Sequence, residues 1–300
     1  MEDDQVTQKQ SGSNSKVMIL MLLLLIGGGV FYYFKFYGHR VVTEELEHGY
    51  RVEKTIDGNN KLDGPFLKYD KNDLLVLKGQ YKNDQKHGLW VEYDGKHKSS
   101  ETNYENDKLH GPSVRYFANS SQKQAEEIFV EGVRTEERYW YQGGLQKFET
   151  SYLGEDKHGQ ERQWNPVGQM EHEIHYHKGK LHGKYTKWHK SGHKQSEEEY
   201  VHGIQNGDAR HWYEDGQIQQ EETYLDGKQN GTFKYWTGAG QLRSIYTYLH
   251  GKEHGPSALY HLNGQKKEEG NYINGFKSGL WIKWDKDGKE VERTTHGEEE

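Results

Sequence analysis

A 24-residue repeat is the feature of this sequence that most restricts its fold. The segment Gly207 to Asn230 matches the segment Gly183 to Asn206 at five positions: a first glycine, a tryptophan five residues on, a glycine nine on, a tyrosine seventeen on and a glycine twenty on. A fixed period of this length indicates an array of stacked supersecondary units, in which each unit contacts mainly its neighbours.

The opening glycine recurs through most of the chain. It is found at Gly64, Gly88, Gly111, Gly159, Gly183, Gly207, Gly231, Gly255 and Gly279, and Thr135 stands at the midpoint of the one double step. The sequence therefore contains about ten copies, and the length of 300 residues does not by itself indicate a number of domains.

Each copy carries an aromatic residue five positions after its opening position. These residues are Tyr69, Tyr93, Tyr116, Trp140, Trp164, Trp188, Trp212, Trp236, Tyr260 and Trp284. Hydrophobic residues make up only 31% of the chain, so aromatic rings have to provide much of the buried surface. We predict that these ten side chains form a structural aromatic ladder along the array.

The local signals within a copy are those of strands and turns. Thr232 to Trp236 is a run of β-formers, Thr237 to Gly240 interrupts it, and Gln241 to Tyr248 forms a second run whose alternate residues share one face. The glycine twenty positions on predicts a second turn with a positive φ. The expected fold is all-β: an elongated antiparallel meander of about ten tandem 24-residue β-hairpin repeats, preceded by one N-terminal transmembrane helix.

The membrane span is predicted from an uncharged segment near the N-terminus. Val17 to Phe34 contains no charged residue, and aromatic residues collect at its C-terminal end, as in an interfacial belt. A cleaved signal peptide is the alternative, but the start of the chain is acidic and bulky residues follow the apolar run. The positive charges flanking the segment are balanced, and we favour an array on the non-cytoplasmic side.

These patterns predict five regions. They are a disordered tail over 1–16, a transmembrane anchor over 17–37, a linker and worn capping repeat over 38–63, the repeat array over 64–297 and an acidic tail over 298–300.

The sequence segment from the second tyrosine of a copy to the next opening glycine resembles a known repeat. Tyr176 to Gly183 reads YHKGKLHG and Tyr248 to Gly255 reads YLHGKEHG. Both are similar to the MORN repeat (membrane occupation and recognition nexus), and more closely to its bacterial variant. The resemblance covers roughly residues 64–297. It implies a hairpin-repeat sheet that serves binding and spatial organisation, and many bacterial proteins with this variant are named as antitoxins.

No residue pattern in the sequence predicts catalysis. The sequence lacks cysteine and contains no nucleophile elbow, Walker loop or dinucleotide-binding fingerprint. His87, His110, His158, His182 and His254 all precede an opening glycine, which identifies them as repeat positions. His172, His175 and His177 are denser, but only two of them share a strand face, fewer than a zinc ion needs. We therefore expect no catalytic residue, no cofactor and no metal site.

The charge balance argues against nucleic acid as a partner. The net charge is −7, and no basic stripe offsets the repulsion from phosphates. The expected function is a non-catalytic, membrane-anchored scaffold for an unidentified protein partner, at the bacterial cell envelope. An envelope carbohydrate-binding module, using exposed rings, and an antitoxin or immunity protein are the alternatives.

Overall fold

A computed structural model describes residues 38–297 of the chain. Their regular structure is antiparallel β-strand, apart from one short 3-10 helix at Glu47–Gly49, so the all-β prediction is confirmed. The predicted anchor over 17–37 and the acidic tail over 298–300 lie outside these residues. Within the part of the chain that is described, no helix has the length and apolar character needed to cross a membrane.

The chain divides into two compact units. Within the described residues, unit 1 comprises 38–111 with Ala118–Ser121, and unit 2 comprises Pro112–Phe117 with 122–297. The strands of unit 1 are β1 (Arg40–Glu45), β2 (Arg51–Ile56), β3 (Leu62–Tyr69), β4 (Leu75–Lys82), β5 (Gln85–Lys86), β6 (Gly88–Asp94) and β7 (His97–Glu105). The division falls within the next strand, β8 (Lys108–Tyr116).

Unit 2 continues the same pattern over the remaining copies. Its first strands are β9 (Lys123–Val130), β10 (Val133–Trp140), β11 (Gln146–Leu153), β12 (Asp156–Trp164), β13 (Met170–His177), β14 (Lys180–Trp188), β15 (Lys194–Val201), β16 (Ile204–Trp212) and β17 (Ile218–Leu225). They are followed by β18 (Lys228–Gln229), β19 (Gly231–Trp236), β20 (Leu242–Leu249), β21 (Lys252–Glu253), β22 (Gly255–Tyr260), β23 (Lys266–Ile273), β24 (Phe276–Trp284) and β25 (Glu290–His296).

Each copy is a hairpin, and two kinds of turn alternate along the chain. In the copy opened by Gly207, the N–H of Gly216 donates to the carbonyl of Tyr213 (2.9 Å), which closes a three-residue loop with φ +87° at Gly216. At the far end of the hairpin, Asp226 and Gly227 both have positive φ, as a type I′ turn requires. The turns therefore keep successive strands antiparallel, as the glycine spacing predicts.

The opening glycine marks a bulge. Gly207 has a φ of +118°, and the register between β15 and β16 shifts between Glu198 and Tyr200. The bulge can interrupt a strand: β18 and β19 lie on either side of Asn230, and both pair with β17. The same interruption produces the short strands β5 and β21.

Many of the buried side chains follow one row across the strands, which we call the central row. It contains the residues two and fifteen positions after each opening position. In unit 2 these are Glu137, Thr150, Glu161, Ile174, Tyr185, Glu198, Ala209, Glu222, Phe233, Tyr246, Ser257, Gly270, Trp281 and Thr294. Ala209 and Phe233 are fully buried, and Trp281 is 5% exposed.

Candidate interaction surface

The ten predicted ladder residues lie at the ends of strands. Nine are the last residue of their strand, and Tyr93 is the last but one in β6. All ten are half-buried. In unit 2 a register shift precedes the ladder position in several hairpins, as between Tyr235 and Trp236. The ladder therefore lies along the edge of the sheet that carries the three-residue loops.

Cations contact several ladder rings. The guanidinium of Arg51 lies 4.1 Å from the ring centre of Tyr69, and Lys194 Nζ lies 5.7 Å from that of Trp212. Such contacts stabilise by about 0.5–1 kcal/mol at exposed sites. The rings thus carry bound positive charge on part of their surface.

Side chains from one copy also bind the backbone of the next copy at the ladder. Tyr213 Oη donates to the carbonyl oxygen of Trp236 (2.8 Å), and Tyr141 Oη donates to that of Trp164 (3.0 Å). His189 with Trp212 and His261 with Trp284 make the equivalent contact at 2.9 Å. These four hydrogen bonds, which we call the loop staples, join loops that are one copy apart.

The residue before the loop decides whether a staple forms. In place of Tyr or His, Asn165 accepts hydrogen bonds from the N–H groups of Val167 (3.1 Å) and Gln169 (3.0 Å) in its own loop. Asp70 and Asp285 do the same in their copies. A short acceptor therefore closes its own loop, whereas a long side chain reaches the neighbouring copy.

The two faces of the unit 2 sheet differ in chemistry. On β16, Ala209 and His211 point to one face and Asp208 and Arg210 to the other, because successive side chains alternate. We call the first the ring face, since it carries the central row and the second tyrosine of each copy. We call the second the ion-pair face.

Carboxylates occupy much of the central row between residues 137 and 222. Glu137 and Glu222 are each 7% exposed, and Glu161 is 5% exposed. Desolvation of a buried carboxylate destabilises the fold by roughly several kcal/mol unless the group is paired and hydrogen-bonded. Glu137 and Glu161 each have an ion pair, and Glu222 accepts hydrogen bonds from Tyr224 and Tyr235.

Tyrosine hydroxyls supply many of those hydrogen bonds. Tyr152 Oη donates to Glu137 (2.5 Å), Tyr200 Oη to Glu198 (2.6 Å) and Tyr224 Oη to Glu222 (2.8 Å). The donor is the second tyrosine of a copy, which lies beside the central row. The fixed tyrosine position therefore provides a proton donor wherever the row places an acid.

Burial and the neighbouring carboxylate both raise the pKa of these phenols. For Tyr200 and Tyr224, burial is the larger cause, followed by the hydrogen bond to Glu198 or Glu222. In Tyr235 the pKa is raised by burial and then by the negative charge of Glu222, 3.1 Å away. The phenols accordingly remain neutral donors throughout the physiological range.

Basic side chains complete the acidic part of the row. Arg134 Nη1 lies 2.6 Å from Glu137 Oε2, and its guanidinium lies 4.4 Å from the ring centre of Tyr152. Lys157 pairs with Glu161 and lies 5.2 Å from the ring centre of Tyr176. The ring face therefore presents alternating aromatic, acidic and basic groups that are held in place by one another.

Rings replace the carboxylates at the C-terminal end of the row. Phe233 lies 4.7 Å from Tyr248 between ring centres, and Trp281 lies 5.0 Å from Tyr272, edge to face. Trp281 Nε1 donates to the carbonyl of Asn271 (3.1 Å). Opposite Trp281 the row has Gly270, where an added Cβ would lie 2.2 Å from the indole.

Charged residues form ladders on the ion-pair face. Arg162 lies between Glu149 (2.9 Å) and Glu173 (2.6 Å), and both hydrogen bonds raise its pKa. Arg210 contacts Asp208 at 2.9 Å. Exposed pairs of this kind contribute about 0–1 kcal/mol each, so this face provides solubility more than stability.

Two grooves open beside ladder tryptophans in unit 2. The first has a volume of about 320 Å³ and is lined by Trp140, Tyr141 and Lys147, among others. The second has a volume of about 410 Å³ and includes Trp188 and His189 in its lining. Each groove is lined by a ladder tryptophan and by the loop-staple residue that follows it, Tyr141 or His189, so the same repeat positions form both grooves.

The histidines considered from sequence lie in different surroundings. His172 packs edge to face on Tyr185 at 6.4 Å, and burial lowers its pKa. His175 binds the carbonyl of Lys184 (3.0 Å), and His177 faces the rings of His158 and His182. Over residues 38–297, no three histidine or carboxylate side chains already converge as a preformed metal site.

The central row was not identified from the sequence. Its residues vary from glutamate to alanine to tryptophan, so no residue type marks the position. The sequence contains one signal. Gly79 and Gly270 each occur fifteen positions after an opening glycine. In both cases a tryptophan, Trp90 or Trp281, stands two positions after the next opening glycine. The large residue fills the space that the glycine leaves.

Comparison with known families identifies the repeat. The MORN repeat variant matches residues 181–202, 205–226 and 253–274. A search of curated proteins found no match to the chain. The matched segments run from just before an opening glycine to the second turn of a hairpin, in register with the period described above. Over these three segments the chain is similar to the MORN repeat variant.

Proposed function

We propose that this protein is a non-catalytic scaffold for protein–protein interaction, tethered to the membrane by a single N-terminal span. The array would lie on the non-cytoplasmic side, at the bacterial cell envelope, and bind a protein partner through the ring face. The observation that carries the proposal is the ring face of unit 2, where each hairpin presents half-buried aromatic rings beside bound charges.

The chemistry of the ring face suits a protein interface. Tyrosine, tryptophan and arginine are enriched at interface centres, because their side chains bury large areas while keeping polar groups satisfied. Here hydrogen bonds such as that between Tyr224 and Glu222 already fix the side chains. A surface fixed in advance loses less conformational entropy when a partner binds.

The repetition of the surface favours an extended or repetitive partner. Equivalent groups recur once per hairpin, so a partner with several binding elements can engage several copies. Each further contact is then intramolecular, and avidity exceeds the affinity of one copy. A repeat array is a common means of building such a surface.

The arrangement of the acids supports a non-catalytic role. The carboxylates of Glu137, Glu198 and Glu222 are each bound by a tyrosine of the same face. Glycosidase chemistry needs two carboxylates that face each other across a substrate cleft. The central row instead places its acids side by side along a sheet.

The tether rests on sequence. Val17 to Phe34 is long enough to cross a bilayer, and its flanking aromatic residues suit the interface. The acidic net charge does not favour binding of the array itself to anionic lipid. Attachment is therefore assigned to the N-terminal segment and recognition to the array.

Cysteine labelling tests the proposed topology. The chain has no cysteine, so Lys286→Cys in an exposed loop provides one reporter for a membrane-impermeant maleimide. We expect labelling on intact cells, whereas a matched Ser13→Cys variant should label only after lysis. The reverse pattern would place the array in the cytoplasm and reject the envelope location.

Site-specific crosslinking tests the proposed interaction. A photoreactive amino acid at His211 samples the ring face, and the same group at Arg210, the preceding residue, samples the ion-pair face. In the native host we expect a discrete protein adduct from position 211 and not from position 210. Equal adducts from both positions, or none from either, would contradict binding through the ring face.

Carbohydrate binding is the second candidate, and the two grooves are the observation that favours it. The ladder residues Trp140 and Trp188 are half-buried and line these grooves beside polar side chains, and rings of this kind can stack on sugars. Titration with envelope oligosaccharides should change tryptophan fluorescence, and Trp188→Ala should reduce that change. An unaltered spectrum at millimolar sugar would reject this alternative. The antitoxin or immunity role remains a prediction from the family resemblance alone.

A further inference from the structure

Four histidines from successive strands meet at one edge of unit 2. They are His158 on β12, His177 on β13, His182 on β14 and His202 in the turn after β15. Along this order the ring centres are 5.0, 5.5 and 5.0 Å apart, and His177 lies 6.4 Å from His202. The cluster lies at the type I′ turns, away from the ladder and its loops.

The repeat explains how these residues come together. His158 and His182 occupy the same position in two copies, directly before an opening glycine. His177 ends the strand between them and pairs in register with Lys180. The next turn folds against this edge, because the N–H of Gly203 donates to the carbonyl of Leu181 (2.7 Å), and this places His202 beside His182.

The spacing of three of these rings fits one bound metal ion. Imidazole nitrogens lie about 2.0–2.1 Å from zinc in a tetrahedral site, which places neighbouring ring centres on the order of 5 to 6 Å apart. His177, His182 and His202 form a triangle with sides of 5.5, 5.0 and 6.4 Å; the first two sides lie within this range, and the third is slightly longer. Their nitrogens do not yet converge on a point in the described structure, but His182 and His202 are exposed and can rotate.

We propose that His177, His182 and His202 bind one first-row transition-metal ion, with zinc as the best match to three imidazoles. Water or His158 completes the tetrahedron. Nδ1 of His158 is buried without a hydrogen-bond partner in the described structure, so a nitrogen of this ring lacks any other role there. The carboxylate of Asp156 lies close to Gly179 in the same turn region.

This set differs from the one that the sequence suggested. His172, His175 and His177 belong to a single strand, which directs only two of them to one face. The proposed ligands come from two strands and a turn, and only the stacking of copies brings them together. A bound ion would link these adjacent hairpins, a function separate from binding a partner on the ring face.

Calorimetric titration of the purified full chain with zinc chloride tests the site. The protein is held in detergent and carries no polyhistidine tag, which would itself bind zinc. We expect about one ion per chain, as for a single three-histidine site. His182→Gln should weaken binding at least tenfold, and His202→Asn, which suits the positive φ of 53° at this turn, should do the same.

His254→Gln is the matched control. His254 also precedes an opening glycine, and its Nδ1 accepts a weak hydrogen bond from the N–H of Asn274 (3.4 Å). The His254→Gln variant should bind zinc as tightly as the unmodified chain does. Circular dichroism should show that all variants remain folded. No zinc binding by the unmodified chain, or equal binding by the His182 and His202 variants, would overturn the proposal. Equal losses in the His254 variant would indicate scattered surface histidines and would also overturn it.

Cobalt provides an independent measurement. Co²⁺ in a tetrahedral site of nitrogen ligands gives visible absorption bands that an octahedral, water-bound ion lacks almost entirely. We expect these bands with the unmodified chain and with His254→Gln, and their loss with His202→Asn. A purely octahedral spectrum throughout would contradict a three-histidine site. Neither result depends on whether the ring face binds a partner.

Discussion

The acidic part of the central row in unit 2, which we call its polar end, and the C-terminal part, its apolar end, bury their side chains in different ways. Around Glu222 the row is polar, and Tyr224 and Tyr235 satisfy the carboxylate. Around Trp281 it is apolar, and the indole lies over Gly270. The backbone register is equivalent in both regions. The repeat therefore fixes where a side chain is buried but leaves its chemistry free, provided that its neighbours compensate in hydrogen bonds or in volume.

Trp281→Ala should have the largest effect and would show how strongly the apolar end depends on one ring. The indole is 5% exposed, and truncation of a buried aromatic costs about 3–5 kcal/mol. Urea denaturation, followed by tryptophan fluorescence and circular dichroism, measures the loss. The ladder variant Trp284→Ala, at a half-buried position three residues on, should cost clearly less. Equal losses would mean that the ladder, not the row, is the core.

Gly270→Ala tests whether volume compensation holds the apolar end together. The new Cβ would lie 2.2 Å from the indole of Trp281, and overpacking of this kind costs about 1–3 kcal/mol. The midpoint of thermal unfolding should therefore lie at a lower temperature than in the unmodified chain. Gly238→Ala is the control, because a Cβ there meets nothing within 4 Å and should change stability by less than about 0.5 kcal/mol. The comparison fails if both alanines behave alike.

Glu222→Ala tests the polar end in the same way. Removal of the carboxylate leaves the hydroxyls of Tyr224 and Tyr235 without their acceptor, and a buried unsatisfied donor costs about 1–3 kcal/mol. The adjacent Glu221→Ala removes only exposed ion pairs and should cost at most about 1 kcal/mol. Free energies of unfolding in urea distinguish the two. A larger loss for Glu221 would place the stabilising network on the opposite face.

The loop staples should contribute less than either end of the row. Tyr213→Phe removes the hydrogen bond to the carbonyl of Trp236, for which a loss of about 0.5–1.5 kcal/mol is typical. Tyr141→Phe removes the same contact at Trp164 and should behave alike. Hydrogen exchange at the two loops reports the local effect. An unchanged exchange rate in both variants would show that the staples do not hold the loops.

High pH should weaken both ends of the row through their tyrosines. Burial, followed by the charge of Glu253, raises the pKa of Tyr272 from 10.0 to about 12. Because the unfolded phenol ionises first, its stabilising contribution is complete below pH 10 and is lost as the pH rises toward 12. Tyr272→Phe should therefore reduce the loss of stability over this window. The pKa of Tyr224 is raised further, so its contribution is also lost from about pH 10 upward, but the loss continues to higher pH than for Tyr272.

The positions of the turns and strands could be predicted well from the sequence. Gly216 and Gly227 recur at fixed offsets and adopt the positive φ that their turns require, so the hairpin follows from local chemistry. The ladder positions also follow from the period, since Trp212 ends its strand as each equivalent residue does, Tyr93 apart. Local sequence patterns were sufficient because each copy is short and repeats the same turn and strand residues.

The central row could not be predicted in this way. Glu161, Ala209 and Phe233 occupy equivalent positions and share no property that a sequence pattern would detect. Their burial depends on cross-strand pairing and on the bulges at the opening glycine, which shift the register between neighbouring strands. Buried glutamate in particular contradicts the general preference of charged residues for the surface.

The sequence by itself determined a β-hairpin array, because its glycines recur at the offsets where each hairpin needs a turn. Only the tertiary structure decided which face buries Glu222 and Trp281, and which histidines share an edge. Those results depend on contacts between residues of different hairpins, such as Trp281 over Gly270 and His182 beside His202. Such contacts form through register and stacking, and a linear pattern does not encode them locally.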